Sequence, residues 1–210
     1  VKRILLVDDH EVVRVGLKKI FAEEFSQVIV GEAALPQEAI QLAGKEDWDL
    51  IVLELSLGRN SGLDVLKQIK RIQPKVPVLI LTGTSEQQYA LRAIKAGAAG
   101  YVTKISYVAD LLQAVKKVVQ GGRYISPSLA ETLSAHLQDE RPEAIHELLS
   151  DREFQVMRLI GSGKTVGQIA VMLSISDKTV STYRARILEK TGMKNNAQVI
   201  RYVVERGFFD

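Results

Sequence analysis

Apolar and polar positions along this chain fall into two regimes. Through residue 120, short apolar runs alternate with stretches of helical spacing. The runs are Arg3–Val7, Val28–Val30, Leu50–Leu53, Pro77–Leu81 and Ala99–Val102, each short enough for a buried strand. After each comes an amphipathic stretch: Val12 to Phe21, Pro36 to Leu42, Leu63 to Ile69, Tyr89 to Ile94, and Val108 to Val119. Pro36 suits the first turn of its helix, and Gly121-Gly122 stops the last one. Five strand-then-helix units in succession predict a doubly wound α/β domain, a (βα)5 fold on a five-stranded parallel sheet.

From residue 148 onward only the helical period remains, which predicts a second, all-α domain of four helices. Ser150 with Glu153 forms a capping box that opens the first, and Gly161 and Gly163 stop it. A second helix starts near Thr165 and carries Ile169, Ala170, Met172 and Leu173. Ser174-Ile175-Ser176 is a tight turn, and Ser176 or Asp177 caps a third helix with Val180, Tyr183, Ile187 and Leu188 on its buried side. Asn196, Val199, Ile200, Val203 and Val204 mark a fourth. Two helices joined by so short a turn read as a helix-turn-helix, whose second helix enters the DNA major groove. Helical periodicity alone also allows a small bundle that binds protein. Between the domains, residues 121–147 read as a linker: a turn to Pro127, a helix-like stretch from Ser128 to Leu137, and a charged tether, Gln138–Glu143, containing Pro142. The expected division is therefore 1–120, 121–147 and 148–210.

Composition narrows the functional classes. The chain has 210 residues and no cysteine, so it carries no disulfide framework and no thiolate metal site. No apolar run is long enough to span a membrane, and no signal-peptide core follows the first residues, so a cytoplasmic location is expected. The net charge of +3 lies entirely in residues 146–210, with ten Lys/Arg against seven Asp/Glu. Lys178, Thr179, Ser181, Thr182 and Arg186 point away from the apolar stripe of the third helix. Lys178, Ser181 and Thr182 lie near its N-terminus, where base edges are read. Arg184, Arg186 and Lys190 suit phosphates, as do Thr165 and Gln168 on the preceding helix.

Parallel sheets bind ligands at the carboxyl ends of their strands. Those ends carry Asp8 and Asp9, Glu54, Thr82, then Thr103 and Lys104. Clustered carboxylates call for a cation, and oxygen donors suit Mg²⁺. A lysine and a hydroxyl opposite the metal suit the remaining oxygens of a phosphoryl group. Polar strand ends facing water are the plainer alternative. A phosphatase of the haloacid-dehalogenase type would need two aspartates two residues apart at the first strand, whereas Asp8 and Asp9 are adjacent.

The chain resembles a known family at both ends. Residues 2–120 are similar to a response-regulator receiver domain through L-V-D-D-H, D-L-I-V-L-x-L-S-L, S-G-L-D-V-L, I-L-T and K-A-G-A-A-G-Y. Residues 148–206 are similar to the LuxR-type helix-turn-helix of NarL/FixJ response regulators through L-S-x-R-E, G-K-T, Q-I-A, L-x-I-S-x-K-T-V and L-x-K-T-G. The resemblance implies a transcriptional regulator rather than an enzyme, partnered by a sensor histidine kinase and by double-stranded DNA, with two copies pairing on DNA through Asn196, Val199, Ile200 and Val203. It implies that Mg²⁺ is held by Asp8, Asp9, the phosphoacceptor position Glu54 and the carbonyl of Ser56. Thr82 and Lys104 would engage the phosphoryl group, and Tyr101 would be the aromatic switch. Two positions depart from the pattern. The acceptor should be Asp and is Glu54, one methylene longer, and Ile105 follows the lysine where Pro or a small polar residue is common. Glu54 either imitates the phosphorylated state or marks a phosphorylation-independent factor with a vestigial receiver.

Overall fold

The computed structural model describes residues 2–57, 60–138 and 145–208. They form two compact units, 1–138 and 139–210.

The first unit runs β1 (Lys2–Val7), α1 (Glu11–Glu24), β2 (Val28–Ala33), α2 (Pro36–Lys45), β3 (Leu50–Leu53), β4 (Ser56–Leu57), β5 (Asn60–Ser61), α3 (Gly62–Ile72), β6 (Val78–Thr82), α4 (Glu86–Lys95), β7 (Gly100–Thr103), α5 (Val108–Val119) and α6 (Pro127–Gln138). The parallel sheet has the order β2-β1-β3-β6-β7, as the alternation of runs predicts. Helices cover both faces, so β3 and β6 are buried at every residue and read as unbroken apolar runs. Ile4, Leu6, Leu50, Val52, Leu79 and Leu81 line one face, with Leu17 and Phe21 of α1 and Leu111, Val115 and Val118 of α5 packed on it. A two-residue antiparallel ladder, β4 with β5, follows the end of β3. It has too few residues to leave a pattern in the sequence.

The segment after α5 turns back onto the sheet. Tyr124 bridges Gly100 at the outer edge of β7, and its amide donates to Ala99 O at 2.9 Å. Helix α6 then packs on α4, with Leu129 buried. Residues 121–138, expected as linker, thus have their contacts in the first unit. Most of the expected charged tether, 139–143, lies outside the described residues.

The second unit holds a 3-10 turn (Ile145–Leu148), α7 (Asp151–Gly161), α8 (Val166–Leu173), α9 (Asp177–Thr191) and α10 (Asn196–Glu205). Its caps are written in the sequence. Ser150 Oγ accepts from the Glu153 amide at 3.3 Å while Glu153 Oε2 accepts from the Ser150 amide at 2.8 Å. Thr165 and Gln168 repeat that box at α8. Ser176 caps α9, accepting from the Thr179 amide at 3.1 Å. The turn from α8 to α9 puts Ser174 in the left-handed region, φ 52°. Among the described residues it is the one non-glycine there, and its short polar side chain suits the strain. Phe154, Val156, Met157, Ile169, Val180, Ile187, Val199 and Val203 make the core. At the end of α7 only glycine fits: a Cβ on Gly161 would lie 2.2 Å from Val203 Cγ1. Among the described residues no helix is long and apolar enough to cross a membrane.

Candidate functional site

At the carboxyl ends of the strands, Asp8, Glu54, Thr82 and Lys104 meet directly. Asp8 and Glu54 are each 3% exposed and Thr82 is fully buried. Lys104 Nζ lies 2.5 Å from Asp8 Oδ2 and 2.8 Å from Glu54 Oε2. Glu54 Oε1 accepts from the Ser56 amide at 2.8 Å and from the Thr82 hydroxyl. The extra methylene carries the carboxylate across the rim, so that one oxygen sits on the hydroxyl and the other on the ammonium. Burial works against the charge on Lys104, but the hydrogen bonds it donates to Asp8 and Glu54 outweigh it and hold its pKa above the ordinary lysine value. Close packing fixes where Glu54 begins: a Cβ on Gly62 would lie 2.3 Å from Glu54 O and 2.5 Å from Leu55 Cα.

A relay of hydroxyls leads away from Glu54. Thr82 gives its single proton to Glu54, so its 2.9 Å contact with Thr84 Oγ1 must be donated by Thr84. Thr84 Oγ1, its own proton given to Thr82, can only accept from the Tyr101 hydroxyl at 3.1 Å, and that one phenol proton is shared with Thr84 O at 3.0 Å and Ser85 O at 3.3 Å. Tyr101 is 1% exposed, and burial pushes its phenol pKa well up, so it stays a neutral donor. Asp8, Glu54, Thr82, Lys104 and Tyr101 are thus brought together, the last through Thr84, which the sequence analysis does not name, whereas Thr103 turns to Ser106 at 2.9 Å and Asp9 to His10. The pattern Thr82-Gly83-Thr84 at the end of β6 was the available signal.

The expected metal ligands divide differently. Asp8, Asp9 and His10 bring candidate ligand atoms within 4.8 Å of one another. Glu54 is not of that group, because its oxygens turn to Thr82, Ser56 and Lys104. Ser56 enters through its amide. The rim still fits a divalent cation by its donors: Asp8 and Glu54 face the one ammonium of Lys104, and Asp9 adds a further carboxylate beside Asp8.

In the second unit Lys178, Ser181, Thr182 and Arg186 are exposed on α9, and Val180 and Ile187 are fully buried behind them. Thr179 and Tyr183 are half-buried, and Thr165 and Gln168 are exposed at the start of α8 within their capping box. The Thr182 hydroxyl donates back to Lys178 O at 2.9 Å. Two cations read as phosphate contacts have partners inside the domain. Lys190 Nζ lies 2.7 Å from Glu153, which is 2% exposed, and Arg184 Nε donates to Asn196 Oδ1 at 2.6 Å. Burial raises the Glu153 pKa, but the bonds from Lys190 and Ser150 outweigh it and hold the carboxyl below the usual range. The pairing face also needs correction. Val199 and Val203 are fully buried in their own core and offer no surface; Ile200 and Val204, 38% and 54% exposed, do.

Residues 4–116 match the response regulator receiver domain, and residues 147–203 match the bacterial regulatory proteins of the luxR family. The chain belongs to the LuxR-family response regulators. It is a DNA-binding regulator of the two-component type. Response regulator GacA of Pseudomonas aeruginosa is 32% identical over 209 residues, 99% of this chain and 98% of that one. Response regulator UvrY of Escherichia coli K12 is 30% identical over 97% of this chain and 94% of its own length. Among solved structures, RcsB of Salmonella enterica serovar Typhimurium, bound to promoter rprA in the presence of phosphomimetic BeF3-, superposes with TM-score 0.66 at 26% identity, covering 97% of this regulator and 98% of that chain. A LuxR-family two-component regulator from Aurantimonas gives TM-score 0.60 at 34% identity over 65% of this chain and 98% of that one.

Proposed function

We propose that this regulator carries a resident stand-in for its phosphoryl group. The observation that supports it is the position of the Glu54 carboxylate, one oxygen on the Thr82 hydroxyl and the other 2.8 Å from Lys104 Nζ. A phosphoryl group attached at this rim would present its oxygens to the same two donors. Glu54 has two acceptor oxygens and one charge where an acyl phosphate has three oxygens and about two charges, so its pull is partial. It biases the receiver toward the DNA-competent state without completing the switch. Asp8, Asp9 and the Ser56 carbonyl would hold Mg²⁺, less tightly than with an aspartate at position 54. The ion would supply the charge neutralisation that lets a further anion approach. Glu54 itself, turned onto Thr82 and Lys104, is not a phosphoacceptor for a sensor histidine kinase.

The output is binding of double-stranded DNA by a homodimer. RcsB has been solved as two dimers bound to two parallel DNAs. In this chain α9 would enter the major groove, with Lys178, Ser181 and Thr182 at base edges and Arg186, Thr165 and Gln168 toward phosphates. Ile200 and Val204 would pair two copies. The test compares the unphosphorylated chain with its Glu54→Asp and Glu54→Gln variants by sedimentation and by titration of a duplex selected from random sequence. The original chain should dimerise and bind about five-fold more tightly than either variant, one weak extra contact in population terms. Equal constants would leave Glu54 as a tolerated change. Incubation with acetyl phosphate and Mg²⁺ should label Glu54→Asp and not the original chain.

A further inference from the structure

The first residue of α4 does two things at once. Glu86 stands immediately after Ser85, whose carbonyl accepts from the Tyr101 hydroxyl at 3.3 Å. Its carboxylate also reaches the start of α6. Glu86 Oε2 accepts from the Ser128 hydroxyl at 2.7 Å, and Oε1 accepts from the Ser126 hydroxyl. Ser126 in turn caps α6, accepting from the Leu129 amide at 3.0 Å. One carboxylate therefore lies at the N-terminal ends of two helices, both of which favour negative charge there.

These contacts continue the relay described at the rim. The state of Glu54 sets the proton donated by Thr82. Thr82 fixes Thr84, and Thr84 with Tyr101 fixes the backbone at Thr84 and Ser85. That backbone is where α4 starts and where Glu86 is hung. If the Tyr101 hydroxyl leaves, the backbone that opens α4 loses the one phenol proton shared by Thr84 O and Ser85 O, and Glu86 moves with it. We infer that Glu86 is a latch: it holds α6 against α4 while Tyr101 is seated inward, and releases α6 when the rim loses its occupant. The helix that leads out of the receiver is thereby made sensitive to the rim. No residue in this latch touches the phosphoryl position, so Glu86 is a positioning residue. The latch itself stands on contacts within the first unit, and its dependence on the rim rests on the reading of Glu54 given above.

Amide hydrogen exchange along α6, measured on the full chain, tests both halves. Glu86→Ala should speed exchange in α6 about ten-fold, and Ser128→Ala, which leaves α4 unaltered, should speed it several-fold. Glu54→Gln should also speed α6 exchange about five-fold, and should add nothing in a chain that already carries Glu86→Ala. A purely structural contact would give independent, multiplying effects instead. Unchanged α6 exchange in both latch variants would overturn the latch. An unresponsive α6 in Glu54→Gln, or effects that multiply, would overturn its link to the rim. Operator affinity is read separately: a loss of affinity in Glu54→Gln with no change in α6 defeats this inference alone, and the converse defeats only the stand-in reading.

Discussion

Among the described residues a buried glutamate meets a lysine twice, once in each unit. Glu54 lies 2.8 Å from Lys104 and Glu153 lies 2.7 Å from Lys190. Both carboxylates are at most 3% exposed. The surroundings make them different devices. Glu153 belongs to a helix cap, where Ser150 takes part in both bonds of the box and Lys190 of α9 adds a third contact. Glu54 stands at the open ends of parallel strands, and its partners are a hydroxyl that feeds a relay and a lysine shared with Asp8. Burial alone does not tell a structural charge from a switching one. On the reading proposed for Glu54, what separates them is whether the partner has somewhere else to go: Thr82 and Lys104 would serve another anion, and the Ser150 cap would not.

Substitutions should sharpen that contrast. The largest effect is expected at the cap. Glu153→Ala should lower the stability of the second unit by roughly 2–3 kcal/mol, for a lost cap and a lost charge-assisted hydrogen bond. Urea unfolding with exchange read at α7 measures it, and the receiver amides should not respond. Next comes the DNA surface, where Lys178→Ala should cost about 2 kcal/mol on the preferred duplex and much less on random DNA, because a base contact discriminates. A uniform loss on all duplexes would return Lys178 to the phosphate contacts. Third, Glu54→Asp should change receiver stability by less than about 1 kcal/mol while shifting dimerisation about five-fold. A large loss of stability there would make Glu54 the same kind of residue as Glu153.

The smallest effect concerns Lys190 and acid. Glu153 has a lowered folded-state pKa, so its contribution is present above the unfolded glutamate pKa and is lost as pH falls through the folded value. The second unit should therefore lose stability below about pH 4.5, and Lys190→Met should flatten that decline at a cost of about 1 kcal/mol near neutrality, because the Lys190 side chain is 41% exposed. Denaturation curves of both chains from pH 3 to 7 give the comparison. The salt dependence of DNA binding should be the same in both. A shallower slope for the variant would show Lys190 reaching phosphates after all.

Much of this was legible in the residues themselves. Strands such as Leu50–Leu53 announce themselves because both faces are covered, and the capping boxes at Ser150 and Thr165 fix two helix starts by side-chain chemistry. The rim was legible because the sheet is parallel and its carboxyl ends must converge. The orientation of Glu54 was not, since an extra methylene lengthens its reach without saying where. The Glu153 partner of Lys190 was not legible because it is 37 residues away in sequence. On α10 the sequence offers two neighbouring stripes, Val199 with Val203 and Ile200 with Val204. Either could face the core by spacing, and only the close approach of α7 at Gly161 selects the first.

The strand order has a consequence for how the protein is made. After β1 and β2 pair, β3 takes the other flank of β1, and β6 and β7 add outward on that side in turn. A chain leaving the ribosome can thus lay its sheet down in the order of synthesis, with no strand inserted between two already in place. Lys104 follows the last strand. Until it emerges, Asp8 and Glu54 share the rim with no ammonium between them, and β6 presents an unpaired edge of the kind that recruits foreign strands. Between the emergence of Thr82 and that of Lys104 the nascent chain therefore carries both that open edge and an unneutralised pair of carboxylates. β7 covers that edge, and Tyr124 afterwards lies along the outer edge of β7.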